Sequence, residues 1–248
     1  MNHIYVAFYT RDTPYEKEVE KLIETLEQFN LEYVIKDYKC RKDWLKNIHY
    51  KPICILDTMN KYPDKNIVYT DADSIIKQMP DLFFNTKADF MAHIRKDRVN
   101  NRLFINGEML SGTLYFANNE RVKRFVEKWV DQSNRYIGKI TEQHLLQMMY
   151  NDGTLTKMGI KGKLLPAEYC CIPLLMKDIV PVIEHHQLSR VTRKLFKVKS
   201  KVKKRKNKKK KVVKTKTAVV EKPTVKQVEK IIVKEKEPVR KPFVRRFS

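Results

Sequence analysis

Two aspartates, Asp71 and Asp73, close the short apolar run Ile67-Val68-Tyr69 and are followed at once by Ser74. Ile, Val and Tyr in succession read as a buried strand. On a strand, an i, i+2 spacing puts both carboxylates on one side. Two hard anionic oxygens side by side suit Mg²⁺ or Mn²⁺, which keep several waters and bind substrate phosphates. The same residue types also make an ordinary turn at a strand end. What favours the metal reading is the setting of the pair.

The elements before it supply that setting. Residues 3–9 form a first buried strand, Pro14 opens a helix, and Val19, Leu22, Ile23, Leu26 and Phe29 recur at helical spacing over residues 15–29. Residues 31–35 are a second strand. Strand, helix and strand within about 30 residues make a βαβ unit, hence a parallel sheet flanked by helices. A third strand over 67–70 then carries Asp71 and Asp73 to its carboxyl end, where open α/β sheets bind ligands.

Between these strands the spacing predicts one helical stretch from Trp44 through Lys51 and Pro52 to about Asn60. Residues 89–94 and 110–116 are further strands, and Gly112 inside the latter marks close approach to a ligand. Helices follow over 119–130 and 141–150, the second with Thr141 as cap and Glu142 and Gln143 in its first turn. Near the end, Pro181-Val182-Ile183 leads into Glu184-His185-His186-Gln187-Leu188-Ser189-Arg190, a second strand end rich in ligand-capable side chains. All six glycines lie between Gly107 and Gly162, so no Gly-rich phosphate loop exists, which argues against P-loop and dinucleotide-binding proteins.

Charge divides the chain. Residues 191–248 hold 24 Lys/Arg and 4 Asp/Glu, which is +20 of the formal +23 carried by all 248 residues. The chain is therefore expected to be a near-neutral domain over 1–194 and a basic tail over 195–248. The tail has too few apolar groups and too much charge to fold by burial. Cys40, Cys54, Cys170 and Cys171 show no CxxC spacing, and are read as reduced thiols of a cytoplasmic protein. No signal peptide and no membrane-spanning run is found.

With these pieces in order, the sequence resembles the nucleotide-diphospho-sugar transferases, glycosyltransferases of the GT-A fold, in their bacterial and phage-borne forms. The matching residues are Phe8-Tyr9-Thr10, Trp44…Lys51-Pro52, Tyr69-Thr70-Asp71-Ala72-Asp73, Ser111-Gly112-Thr113-Leu114-Tyr115-Phe116, Glu142-Gln143, Leu165-Pro166…Tyr169, and Glu184-His185-His186-Gln187…Ser189-Arg190, spanning about 3–193. The resemblance implies a Rossmann-like mixed sheet flanked by helices, and a metal-dependent hexosyltransferase using a nucleotide-diphosphate donor, with UDP the expected nucleotide. Asp73 is the implied principal metal ligand. Asp71 shares the metal or bonds the ribose, and His185, with His186 as the other choice, is the third ligand.

The same resemblance places Thr10, Tyr15 and Trp44 near the nucleotide. Lys51 and Arg190 fall on the diphosphate, where Arg offers a planar fork of donors and Lys a point charge. Ser111, Gly112, Gln143, Gln187 and Ser189 complete the implied donor site. Glu142 is the implied general base of an inverting mechanism, or a group that orients the sugar in a retaining one; Thr141 stands where many relatives carry an acid. The rival reading is a non-catalytic nucleic-acid-binding protein. A combined reading has the tail carry the transferase to a polyanionic acceptor, with affinity falling about 10³–10⁵-fold between 50 and 200 mM salt if ~6–10 phosphates are engaged.

Overall fold

The computed structural model describes residues 2–96, 107–189, 192 and 243–245. The expected tail lies outside the described residues, apart from three of them named below. The βαβ unit forms as the spacing predicts: β1 (His3–Thr10), α1 (Tyr15–Gln28) and β2 (Tyr33–Tyr38), with β1 and β2 parallel. Helix α2 (Trp44–Asn47) and α3 (Tyr50–Lys61) follow, then β3 (Asn66–Thr70), which pairs parallel with β1 on its other side.

The single helix expected from Trp44 to Asn60 is thus two. Asp43 starts α2 by accepting a hydrogen bond from the Leu45 N–H at 2.9 Å, and the chain turns again at Ile48 and His49. That second start puts Pro52 in the first turn of α3. There its missing N–H would have had no intrahelical partner anyway.

After β3 come the short β4 (Ser74–Ile76), β5 (Phe90–Arg95), β6 (Glu108–Phe116), α4 (Glu120–Arg135), α5 (Glu142–Asn151), α6 (Thr154–Lys157), β7 (Gly162–Leu164) and β8 (Ile183–His185). β9 (Phe243–Arg245) runs antiparallel along β2. The main sheet has the order β7-β5-β6-β3-β1-β2-β9, while β4 and β8 form a separate antiparallel pair. β6 is antiparallel to both β3 and β5, so the sheet is mixed.

Alternation along the strands feeds two cores. Ile4, Val6 and Tyr69 point to one face, where α3, α4 and α5 bring Ile55, Phe125, Trp129 and Leu146. Tyr5, Ala7 and Val68 point to the other, against Leu22 and Leu26 of α1. All of these side chains are buried, and at roughly 1.5–3 kcal/mol each they hold both helical layers to the sheet. The carboxyl end of β3, between β1 and β6, is thereby fixed from both faces.

The β5–β6 ladder is broken at one point. Its register runs Ala92 to Leu114 and then His93 to Leu110, so Ser111, Gly112 and Thr113 bulge away from β5. Bulges of this kind re-aim side chains next to functional sites.

Candidate functional site

β3 stops at Thr70, and residues 71–74 form a turn rather than a continuing strand. The strand alternation expected to align Asp71 with Asp73 is therefore not what brings them together. The Ser74 N–H donates to the Asp71 carbonyl at 3.1 Å, and the Ser74 hydroxyl bonds the same carbonyl and the Thr70 hydroxyl, each at 2.7 Å. This turn folds the two carboxylates to one side. Ser74 then starts β4, whose partner β8 has His185 directly opposite Ser74. One ligand atom from each of Asp71, Asp73 and His185 lies within 4.8 Å of the others.

The two adjacent histidines are separated by this pairing. His185 is buried and its Nε2 lies 2.8 Å from the Thr113 hydroxyl. His186 is exposed and its ring nitrogen meets Glu184 at 2.8 Å. Gly112 is explained by the same ring. A Cβ there would stand 2.9 Å from His185 Cε1 and 3.1 Å from Nδ1, so the glycine makes room for the imidazole. We expect Gly112→Ala to cost about 1–3 kcal/mol, as overpacking typically does, and to weaken divalent binding by displacing the ring. Recovery of stability in Gly112→Ala/His185→Ala, followed by denaturant unfolding, checks the cause. A Gly112→Ala protein of wild-type stability and cation affinity would mean that the ring yields freely.

Asp73 is held by the segment after β8: its Oδ2 accepts the Leu188 N–H at 2.6 Å and its carbonyl accepts the His186 N–H at 3.0 Å. Gln187, between them, adopts φ 53°. That left-handed geometry is uncommon outside glycine, and here it turns Leu188 back onto the carboxylate. Burial, reinforced by the charge of Asp71, pushes the Asp73 carboxyl up to about 6. Burial pushes the His185 imidazole down to about 4, so near neutral pH it is an uncharged ligand.

A second cluster adjoins the first. The Lys51 ammonium is buried and donates to the carbonyl and hydroxyl of Ser111, both at 2.9 Å. It lies 3.1 Å from Asp71 Oδ1 and 3.0 Å from Glu142 Oε1. Burial disfavours its charge, but Asp71 and Glu142 outweigh that and hold it above the ordinary lysine range. Three N–H bonds facing four oxygens leave none for a diphosphate, the contact expected of Lys51. Its place is between the two carboxylates.

Glu142 opens α5 as expected. The Thr141 hydroxyl caps the helix through the His144 N–H at 3.1 Å, and Trp129 Nε1 donates to the Glu142 carbonyl at 3.0 Å. The Ser111 hydroxyl lies 3.1 Å from Glu142 Oε1 and 3.2 Å from Gln143 Oε1.

The remaining expected residues divide. Burial lifts the Tyr15 phenol, with Asp73 and Asp71 adding to the effect and hydrogen bonds to Trp44 and Thr192 opposing it, so Tyr15 lies within reach of the aspartates' charge and Trp44 adjoins Tyr15. Thr10 is buried at the end of β1, its carbonyl accepting the Thr13 hydroxyl at 2.6 Å. Ser189 and Gln187 are half-buried just beyond β8, and the Gln187 amide oxygen has no hydrogen-bond partner among the described residues. Arg190 lies outside the described residues. Sequence reasoning missed Tyr69, whose phenol donates to Asp71 Oδ1 at 2.9 Å, along with Thr113 and the Leu188 N–H.

Comparison with known proteins adds an independent line. A family model for nucleotide-diphospho-sugar transferases matches residues 53–220, more than half of the chain. No curated protein sequence matches. A glycosyltransferase involved in the glycosylation of the major capsid of PBCV-1 superposes with a TM-score of 0.57 at 9% identity, over 75% of this chain and 93% of that one. The glycosyltransferase GlyE of Streptococcus pneumoniae TIGR4 superposes with a TM-score of 0.50 at 15% identity, over 74% of this chain and 55% of that one. The chain thus spans nearly all of the first and about half of the second. At such identities the likeness is one of fold. The family match covers Asp71, Asp73, Ser111, Glu142 and His185.

Proposed function

The chain belongs to the nucleotide-diphospho-sugar transferase family, and from that premise we propose that it is a divalent-cation-dependent glycosyltransferase that takes a hexosyl group from a nucleoside-diphosphate donor, UDP-sugars first. The observation that carries this reading is the convergence of half-buried Asp71 with buried Asp73 and His185 at a sheet's carboxyl end.

The residues fit a divalent cation by their chemistry. Asp73 is raised first by its own burial and next by the charge of Asp71, a penalty that a bound cation would offset. With Nε2 of His185 on Thr113, Nδ1 is the nitrogen left as a ligand. Imidazole and carboxylate together suit Mn²⁺, and Mg²⁺ is the alternative. Held by Asp71, Asp73 and His185, a divalent cation would supply charge neutralisation for the departing nucleoside diphosphate.

The chain's own residues do the rest. Tyr15 and Trp44 are proposed to border the nucleotide, with Thr10 at the end of β1. Ser111, Gln143, Gln187 and Ser189 are the polar groups proposed to line the donor, with Arg190 on its diphosphate. Glu142 is the carboxylate proposed for the anomeric centre, as base or as the group that orients the sugar. Lys51 keeps Glu142 Oε1 and Asp71 Oδ1 fixed in relation to each other.

The acceptor class proposed is a polyanion reached through the basic tail, on charge placement alone; deleting 195–248 tests it, and equal DNA affinity and salt slope without the tail would dismiss it. None of the comparisons points to a non-catalytic nucleic-acid-binding protein. Among the described residues no helix is long and apolar enough to cross a membrane.

Release of nucleoside diphosphate from a panel of nucleotide sugars, with Mn²⁺, with Mg²⁺ and with chelator, tests the proposal. No cation-dependent release from any donor would overturn it. Cation affinity should also report Asp73 by its pH dependence. Binding requires the carboxylate, so below about pH 6, where Asp73 takes up a proton, the affinity for Mn²⁺ should fall about tenfold per pH unit. Calorimetric titration between pH 4 and 8 measures this, and a flat profile would exclude Asp73 as a ligand.

A further inference from the structure

We infer that Glu108 is a positioning residue for the transfer reaction, one that sets which end of the Gln143 amide faces Ser111. The inference deepens the glycosyltransferase reading and rests on it.

The geometry starts at the bulge in β6. Because Ser111 has left the β5 register, its backbone N–H looks to α5, where Gln143 Oε1 lies 3.3 Å away. The Ser111 hydroxyl is 3.2 Å from the same oxygen. One helical turn later Gln147 Oε1 accepts the Met109 N–H at 2.6 Å, so two glutamines four residues apart dock α5 on the start of β6. The other end of the Gln143 amide, its Nε2, donates to Glu108 Oε1 at 3.3 Å. Glu108 in turn is held by Arg95, its opposite number across the β5–β6 ladder, with Nη2 3.1 Å from Oε2 and both side chains about 10% exposed.

The chemistry of the two ends fixes the amide. A backbone N–H can only donate, and a carboxylate paired with a guanidinium can only accept. Gln143 therefore cannot turn over without setting donor against donor at Ser111 and acceptor against acceptor at Glu108. The orientation of this amide is felt in the site. The Ser111 hydroxyl accepts from Lys51 and has two acceptors, Glu142 Oε1 and Gln143 Oε1, for its one proton. Turning the amide would put an N–H₂ group where the second acceptor stands and would redirect the hydroxyl and the Lys51 ammonium behind it. Asp71, on that ammonium, is the end of the chain of contacts.

Glu108→Gln should cause this inversion. The new amide keeps its oxygen toward Arg95 and points its N–H₂ at Gln143, which must then present oxygen to it. We expect kcat for donor turnover at saturating Mn²⁺ to fall about 10–100-fold, the scale of a displaced catalytic group, beyond any change in Mn²⁺ affinity. The swap Glu108→Gln/Gln143→Glu restores the polarity of both contacts and should recover at least tenfold of the loss. A purely structural Arg95–Glu108 pair would be lost in both proteins alike, with kcat following the melting temperature.

A Glu108→Gln enzyme with kcat within twofold of wild type overturns the inference, and so does a loss that the swap fails to recover. If Glu108→Gln does not fold, the swap is compared with Gln143→Glu alone, which sets two carboxylates face to face. The single variant should be at least tenfold slower than the swap, and equal rates overturn the inference. A wild-type chain that binds Mn²⁺ but turns over no donor removes the glycosyltransferase reading instead, and this inference with it.

Discussion

Asp73→Asn is expected to lower kcat/KM for cation-dependent donor turnover by about 10³-fold or more while leaving the cation-free protein at least as stable as wild type at pH 8. The first half follows from its place in the group with Asp71 and His185. Charge stabilisation by a bound cation contributes several kcal/mol, and about 4 kcal/mol is a thousandfold in rate. The second half follows from the direction of the Asp73 shift. Its folded-state value is raised from 3.8 to about 6, chiefly by burial and next by Asp71. Such a group binds its proton more tightly in the native than in the unfolded chain, so ionising it costs stability as pH rises through about 6. That penalty is complete above it and absent below about pH 4. At about 1.4 kcal/mol per unit it is on the order of 2–3 kcal/mol. An asparagine escapes it, yet its amide oxygen still accepts the Leu188 N–H. His185, pushed the opposite way, costs stability only as pH falls below its unfolded value near 6.5 and does not enter at pH 8. Melting curves with chelator and with Mn²⁺ check the pair of claims. Wild type should gain stability from Mn²⁺ and the variant should not. A variant that still turns over donor with Mn²⁺ at wild-type rate would remove Asp73 from the site.

How much of this was legible in the sequence depends on the range over which each residue acts. The βαβ unit was, because the apolar positions of α1 and the β-branched runs of β1 and β3 are local signals. So was the pair Asp71 and Asp73 after β3, since two carboxylates that close an apolar run are visible without the fold. Their alignment does not come from strand alternation, because the turn that makes it depends on Thr70 and Ser74 hydroxyls rather than on apolar pattern. β4, β7 and β8 are three residues each, and β7, wholly exposed, has no apolar signature at all. Yet the β4–β8 pairing is what separates His185 from His186, and nothing local to the two histidines does so.

Lys51 shows the same limit from the other side. As one of 52 basic residues it carries no mark of burial, and its neighbours Ser111 and Glu142 come from elements 60 and more positions away. A glycine within a strand does signal close approach at Gly112, but the visitor is the His185 ring, brought there by a β4–β8 pairing that no local pattern reveals. Glu108 and Arg95 carry no motif, and only the register of β5 against β6 sets them opposite each other.

Lys51→Met is expected to destabilise the fold by about 3–5 kcal/mol, the usual cost of removing one partner from a buried ion pair. Against a typical total of ~5–15 kcal/mol, that is enough to shift the unfolding midpoint far. Methionine fills nearly the same volume, so the effect is electrostatic. It leaves Asp71 and Glu142 facing each other without the cation between them, and deprives the Ser111 carbonyl of its 2.9 Å donor. Glu142 is about 5% exposed, so water cannot take the place of the ammonium. If this account is right, neutralising one carboxylate should return part of the loss. In Lys51→Met/Glu142→Gln the buried group at 142 is neutral and its amide oxygen can still accept from Ser111, and the double variant should be more stable than Lys51→Met by more than 1 kcal/mol, a coupling that a double-mutant cycle isolates. Donor turnover should stay lost in both, because the lysine fixes the two carboxylates and the double variant lacks one of them. Unfolding is best followed in chelator, since a divalent cation on Asp71 would mask part of the repulsion. If Lys51→Met unfolds within 1 kcal/mol of wild type under those conditions, the ammonium does not hold the carboxylates, and Lys51 returns to the phosphate contact first expected of it.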